Sequence, residues 1–236
     1  MGKFPILVGI LLFCTIAFAQ DAQPHLNPGQ NADQTAPVIS FSCNFPQLTP
    51  PYYNIAVDSS GRAEYKSTPK PKNEGDPYEL KFVASEATRA RLFELARQLN
   101  YFQGNFEYTK GKIAFTGDKT LTFKNGDDEH STTYNWSENP LVQEITAIFQ
   151  NTEETIELGH QLEEKYRFDK LGVDAVLKTL ESEAKDNRLG EIQAIQPILT
   201  RVARDSNLMN ISRRRAEFLL SKIPKESVTT APGGHQ

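Results

Sequence analysis

Cysteine, methionine and tryptophan are scarce in this chain, with two Cys, two Met and one Trp among 236 residues. Cys14 falls in an apolar N-terminal segment, which leaves Cys43 as the single cysteine beyond it. No disulfide can form within that larger part, so its stability must come from packing. The run Val38-Ile39-Ser40-Phe41-Ser42-Cys43 places Cys43 as a small apolar core residue, with intermolecular pairing as the alternative. Several motifs are also missing: CxxC, a Gly-x-Ser-x-Gly elbow, a glycine-rich phosphate loop and His-Glu-x-x-His. Thiol redox, serine hydrolase, nucleotide and zinc-protease chemistry therefore lack their usual sequence signs. Positive charge is not in excess, since 26 Lys and Arg stand against 30 Asp and Glu for a net charge of -4. General nucleic-acid binding needs a positive field to displace counterions, so it is disfavoured. The N-terminal apolar run is shorter than the roughly 20 residues of a membrane-spanning helix.

That first segment is the clearest positive signal. Lys3 precedes an apolar run from Phe4 to Phe18, and Ala17-Phe18-Ala19 has the small-x-small form of a cleavage site. Residues 1–19 are expected to be a secretory signal peptide cut between Ala19 and Gln20. The protein is then secreted or periplasmic, with no stable membrane insertion after cleavage. Lipid attachment at Cys14 is disfavoured because bulky Phe13 precedes it. Residues 20–36 are rich in Gln, Asn, Asp and Pro and read as a flexible linker. Residues 224–236 read as a disordered tail.

Residues 37–150 carry the pattern of an α+β domain, an antiparallel sheet of about six strands with helices on one face. Val38 to Asn44 predicts a first strand, and Tyr53 to Val57 with Ala63 to Lys66 predicts a hairpin around Asp58-Ser59-Ser60-Gly61. The proline-rich stretch from Ser67 to Pro77 predicts a surface loop, followed by a strand from Tyr78 to Val83. Ser85 is placed to cap a helix whose stripe is Leu92, Leu95, Ala96 and Leu99. In the second hairpin, an Asn-Gly turn would set Asp128 opposite Phe123. A four-residue loop instead pairs Lys124 with Glu129, Phe123 with His130 and Lys119 with Tyr134. That register puts Leu121, Phe123, His130, Tyr134 and Trp136 on one face, so it is preferred. Asn139-Pro140 then predicts a helix start.

Residues 151–223 lose strand signals and predict an all-α extension. The helix from Pro140 can continue through Ile156, Leu158 and Leu162, and Asp169 is expected to cap a helix through Val173, Val176, Leu177, Leu180 and Ala184. Two more helices follow, one with Pro197 in its first turn and one through Ala216 and Leu219. No period supports a solenoid.

No catalytic, cofactor-binding or metal-binding residue is assigned, and no cofactor is implied. Asp127-Asp128-Glu129-His130 is the densest set of metal-ligating types, but adjacent strand residues face opposite sides of a sheet. Cys43 as a nucleophile would need a histidine nearby in space. Asn135-Trp136-Ser137 and Asn210-Ile211-Ser212 match the N-glycosylation pattern, although the signal peptide has a bacterial character. The C-terminal helices hold Arg201, Arg204, Arg213, Arg214 and Arg215. These predict either ion pairs with neighbouring acidic helices or a docking patch for an anionic partner: an acidic protein, cell-wall polymer or membrane headgroup.

The hairpin from Ile55 to Tyr65, the helix after it, the hairpin from Leu121 to Tyr134 and the helix from Pro140 together resemble a family of uncharacterised secreted bacterial α+β domains. The resemblance covers about residues 37–149, rests on pattern, and brings no known activity or functional residue. The leading expectation is a secreted or periplasmic non-enzymatic binding or interaction protein. The alternative is an extracytoplasmic hydrolase of envelope or extracellular material using dispersed carboxylates and His130. A structural accessory whose helices pack on another subunit is the third reading.

Overall fold

Alternate residues of β1 (Val38–Asn44) are buried, with Ile39, Phe41 and Cys43 turned to the core and Ser40 and Ser42 turned away. The same two-residue period organises β2 (Tyr52–Asp58), β3 (Arg62–Thr68), β4 (Tyr78–Val83), β5 (Asp118–Asn125) and β6 (Asp128–Tyr134). Together they form one antiparallel sheet in the order β4-β3-β2-β1-β5-β6. Five α-helices complete the α+β fold among the described residues: α1 (Glu86–Gln98), α2 (Pro140–Phe168), α3 (Val173–Lys185), α4 (Gln196–Arg204) and α5 (Asn210–Leu220). The computed structural model describes residues 36–69 and 77–224. The expected signal peptide, the linker up to residue 35, loop residues 70–76 and the tail from residue 225 lie outside them.

Helices α1 and α2 cover one face of the sheet. Leu92, Leu95 and Ala96 of α1 and Val142, Ile145, Phe149 and Ile156 of α2 share a core with Ile39, Phe41, Ile55 and Leu121. The Phe149 and Phe41 rings stack with centroids 5.3 Å apart. The other face carries the expected charge pair and threonine ladder, Lys124 with Glu129 at 3.2 Å and Thr120 with Thr133 at 2.9 Å. Ser85 caps α1 by accepting from Thr88 N, and Asn139 caps α2 by accepting from Leu141 N with Pro140 in the first turn. Helix α2 passes the boundary expected at residue 150 without a break. Its Ile156 belongs to the sheet core, while its Leu162 joins a second core with Leu177, Leu180, Leu199 and Leu219. Among the described residues, no helix is long and apolar enough to cross a membrane.

Three local expectations are corrected. Ser67 and Thr68 complete β3 instead of opening a loop, because Ser67 pairs with Tyr78 of β4. The β5–β6 register is the expected one, but pairing runs on to Asn125 with Asp128. The loop is therefore two residues long, with Gly126 supplying a φ of 61°. Asp169 ends α2 instead of starting α3: it is the C-cap, its carboxylate accepting from Gly172 N and from Lys165 Nζ. Helix α3 follows Gly172 with no side-chain cap.

Candidate functional site

One side chain from each strand contributes to a single row across the sheet. Tyr134, Lys119, Cys43, Tyr53, Ser67 and Tyr78 are successive cross-strand partners running from β6 to β4. Each has a polar or ionisable group. Helix α2 lies along this row, and Thr146, Gln150, Glu153, Glu157 and His160 recur on it at steps of three and four, which puts them on one helical face. The two series meet in pairs. Tyr134 OH lies 2.5 Å from Thr146 Oγ1, Tyr65 OH and Ser67 Oγ donate to Glu157 Oε1 at 2.5 and 3.0 Å, and the Tyr78 and His160 rings stack at 3.9 Å. The Thr146 hydroxyl already donates to Val142 O, so Tyr134 is the donor of its pair.

This polar belt is sheltered, and its proton affinities follow from that. Burial pushes Glu153 up to about 8, helped by the charges of Glu157 and Glu154, so the group is largely protonated at neutral pH. Burial likewise pushes the Cys43 thiol up, outweighing the opposite pull of Lys119. Cys43 is buried and is held as a thiol, which is the packing role its sequence context predicts and not that of an activated nucleophile. Lys119 is 6% exposed, and burial lowers its proton affinity. Its ammonium donates to Thr116 O, Thr116 Oγ1, Gly117 O and Asn135 O at 2.7 to 3.3 Å. Three protons shared among four oxygens leave the cation satisfied from within the fold.

Where the belt reaches the ends of β5 and β6, a cavity of about 360 Å³ opens beside the first turns of α2. Trp136, Ser137, Gln143 and Gln150 line it together with Tyr134 and Lys119. Asn135 fixes the position of Trp136 by tying the end of β6 to the preceding loop. Its side-chain oxygen accepts from Thr116 N at 2.7 Å, its amide donates to Ala114 O at 3.0 Å, and its backbone N–H donates to Glu107 at 2.5 Å. Tyr108 completes the support, its ring set edge-on to Trp136 at 5.1 Å. No carboxylate is among the residues that line this cavity. Among the described residues, no protein group bonds the Trp136 indole N–H or the Gln150 amide. The chamber can therefore offer an aromatic face and neutral hydrogen-bonding groups.

The residues singled out by sequence are distributed differently. Arg201 pairs with Glu163 at 2.5 Å, and Arg215 bridges Asp174 and Glu181 at 2.5 and 2.9 Å. These two serve as links between helices, as the ion-pair reading of the five arginines expects, so the five do not form one unpaired patch. Arg204 and Arg214 are exposed without an ionic partner among the described residues. Arg213 reaches only Asn210, at 3.5 Å, with its Nε buried and unpaired. At the β5–β6 hairpin, His130 pairs with Asp128 at 3.0 Å, and Glu129 turns to Lys124 on the other face. His130 stands four residues along β6 from Tyr134, away from the Cys43 row. Sequence reading passed over Lys119, Gln150, Glu153 and Glu157. The available signal for Lys119 was parity, because it shares the inward face with Leu121 and Phe123. For the α2 residues, the signal was a polar stripe beside the apolar one. No protein-family model matches the chain, and no curated protein matches it.

Proposed function

We propose that this chain is a non-enzymatic binding protein, exported from the cytoplasm, whose cavity beside Trp136 takes a small uncharged polar molecule with one apolar face. The observation that carries this reading is the chamber's charge balance. Its lining has no carboxylate, and its one cation, Lys119, is already surrounded by four oxygens. A charged ligand would meet no counter-charge there and would lose hydration without compensation. A neutral ligand would stack on the indole and bond to Gln150 and Gln143, and the volume of about 360 Å³ suits a single sugar ring or a molecule of similar size. The hydrolase alternative draws little support from the positions of its groups, since His130 sits at the hairpin end and Glu153 and Glu157 lie on the face of α2 turned to the sheet.

Trp136 is the only tryptophan, so its fluorescence reports occupancy of the chamber directly. Titration with glucose and N-acetylglucosamine is expected to give a saturable change, and acetate and phosphate are expected to give none. Gln150→Ala should weaken the response about tenfold, the worth of one hydrogen bond made inside a pocket. A saturable response to the anions that survives Gln150→Ala would overturn the reading.

A further inference from the structure

The two most exposed large apolar side chains among the described residues are Phe168 and Leu171, at 86% and 82%. Phe168 is the last residue of α2, and Leu171 lies in the turn that joins α2 to α3. The turn that joins α4 to α5 lies beside it, for Lys170 pairs with Asp205 at 2.9 Å and Ser212 at the start of α5 bonds Asp174 at the start of α3 at 3.0 Å. Exposed Met209 ends that second turn, and exposed Ile211 follows in the first turn of α5. Four apolar side chains thus occupy one tip of the helical part.

The charges around the tip are one-sided. Its acids are matched locally: Asp169 by Lys165, Asp205 by Lys170 and Asp174 by Arg215. Arg167, Arg204, Arg213 and Arg214 have no ionic partner among the described residues. Glu164, beside His160, and Glu217 stand about a turn further along α2 and α5.

We propose that this tip docks reversibly on an anionic lipid surface, with Phe168 and Leu171 entering the headgroup boundary and exposed Arg167, Arg204 and Arg214 meeting phosphates. Phe168 and Leu171 protrude from the end of α2 and the turn after it, nearly fully exposed. A protruding apolar point needs a yielding apolar layer, whereas a folded protein partner would need a socket shaped to receive it. A bilayer supplies that layer directly beneath a sheet of negative charge. The contact is peripheral, since two turns cannot span a bilayer. It is independent of the Trp136 chamber and stands whether or not that cavity binds a ligand.

Vesicle sedimentation tests the proposal, using the processed chain from Gln20 onward, which keeps every described residue. Phosphatidylcholine vesicles with about 30% phosphatidylglycerol should pellet the protein, and pure phosphatidylcholine should do so about tenfold less well. Phe168→Ser with Leu171→Ser should lower pelleting about tenfold, with the circular dichroism spectrum unchanged because both residues are exposed. Arg167→Glu with Arg204→Glu and Arg214→Glu should also lower it, and added salt should act in the same direction. No pelleting on the anionic vesicles would overturn the proposal. So would retention by the Phe168 and Leu171 variant, which would mark a purely electrostatic surface suited to an acidic protein or polymer.

Discussion

Glu153 combines a sheltered position with two acidic neighbours, and its proton is the consequence. The carboxyl rises from 4.5 to about 8, with burial as the leading cause. The folded protein therefore keeps this proton across a range in which the unfolded chain has released it. Stability from this group is complete below pH 4.5, falls as the pH climbs toward 8, and is level above that. Glu153→Gln is neutral at every pH. Its urea midpoint should match the parent near about pH 4 and exceed it at about pH 9, where the unfolding free energies should differ by of order a few kcal/mol. Parallel curves for the two proteins would show that Glu153 is hydrated in the folded state. Lys119 illustrates how much of such chemistry is readable in advance. Its inward direction follows from the β5 register, but the oxygens that satisfy it come from Thr116, Gly117 and Asn135, whose approach depends on a loop path. The Gln150 and Phe168 substitutions proposed above act at this same scale, through single side chains in a preserved fold.

Among the elements, α2 does most to organise the molecule. One face carries Val142, Ile145, Phe149 and Ile156 to the sheet core, and the polar stripe beside it meets the transverse row of the strands. Further along, Gly159 allows the helix to touch the 3-10 turn Ile192–Ile195, since a Cβ at 159 would lie 2.2 Å from Ile195 Cγ2 and 2.9 Å from its Cβ. Ile195 is buried and branched at Cβ, so it has little freedom to yield. Gly159→Ala should lower stability by about 1–3 kcal/mol despite alanine's better helix propensity, as read from a urea midpoint. An unchanged or raised midpoint would mean that the contact is loose. The hairpin shows a different lesson at this scale. The cross-strand pairs were legible because only one register buries the Leu121 face, yet the strands pair for one more step and the loop is two residues shorter than expected. Hydrophobic pattern sets register strongly, whereas it leaves the last polar pair at a strand end open.

At the scale of the whole molecule, the helical part reaches back to hold the start of α1. The Glu191 carboxylate accepts from Ser85 N at 2.6 Å and from Ser85 Oγ at 2.9 Å, and Gln193 donates to Val83 O at 3.1 Å. With α2 shared by both cores, neither part keeps its contacts once the other is lost. Thermal unfolding should therefore show one transition, with the helical circular dichroism signal and Trp136 emission giving the same midpoint. Glu191→Ala should cost about 1–3 kcal/mol through the unsatisfied donors at Ser85 and should lower both midpoints together. Separate midpoints would identify two independently folding units.

Composition and periodicity settled the α+β class, most of the strands and helices, the β5–β6 register and the inward direction of Cys43, because each depends on neighbours along one strand, one hairpin or one helical turn. Tertiary structure decided which carboxylate is sheltered, which arginines are matched across helices and which turns stand side by side. Those outcomes depend on groups separated by tens of residues, such as Tyr65 and Glu157 or Arg215 and Asp174. Burial and charge pairing are properties of assembled surfaces, and a linear pattern specifies the surfaces without specifying which of them meet.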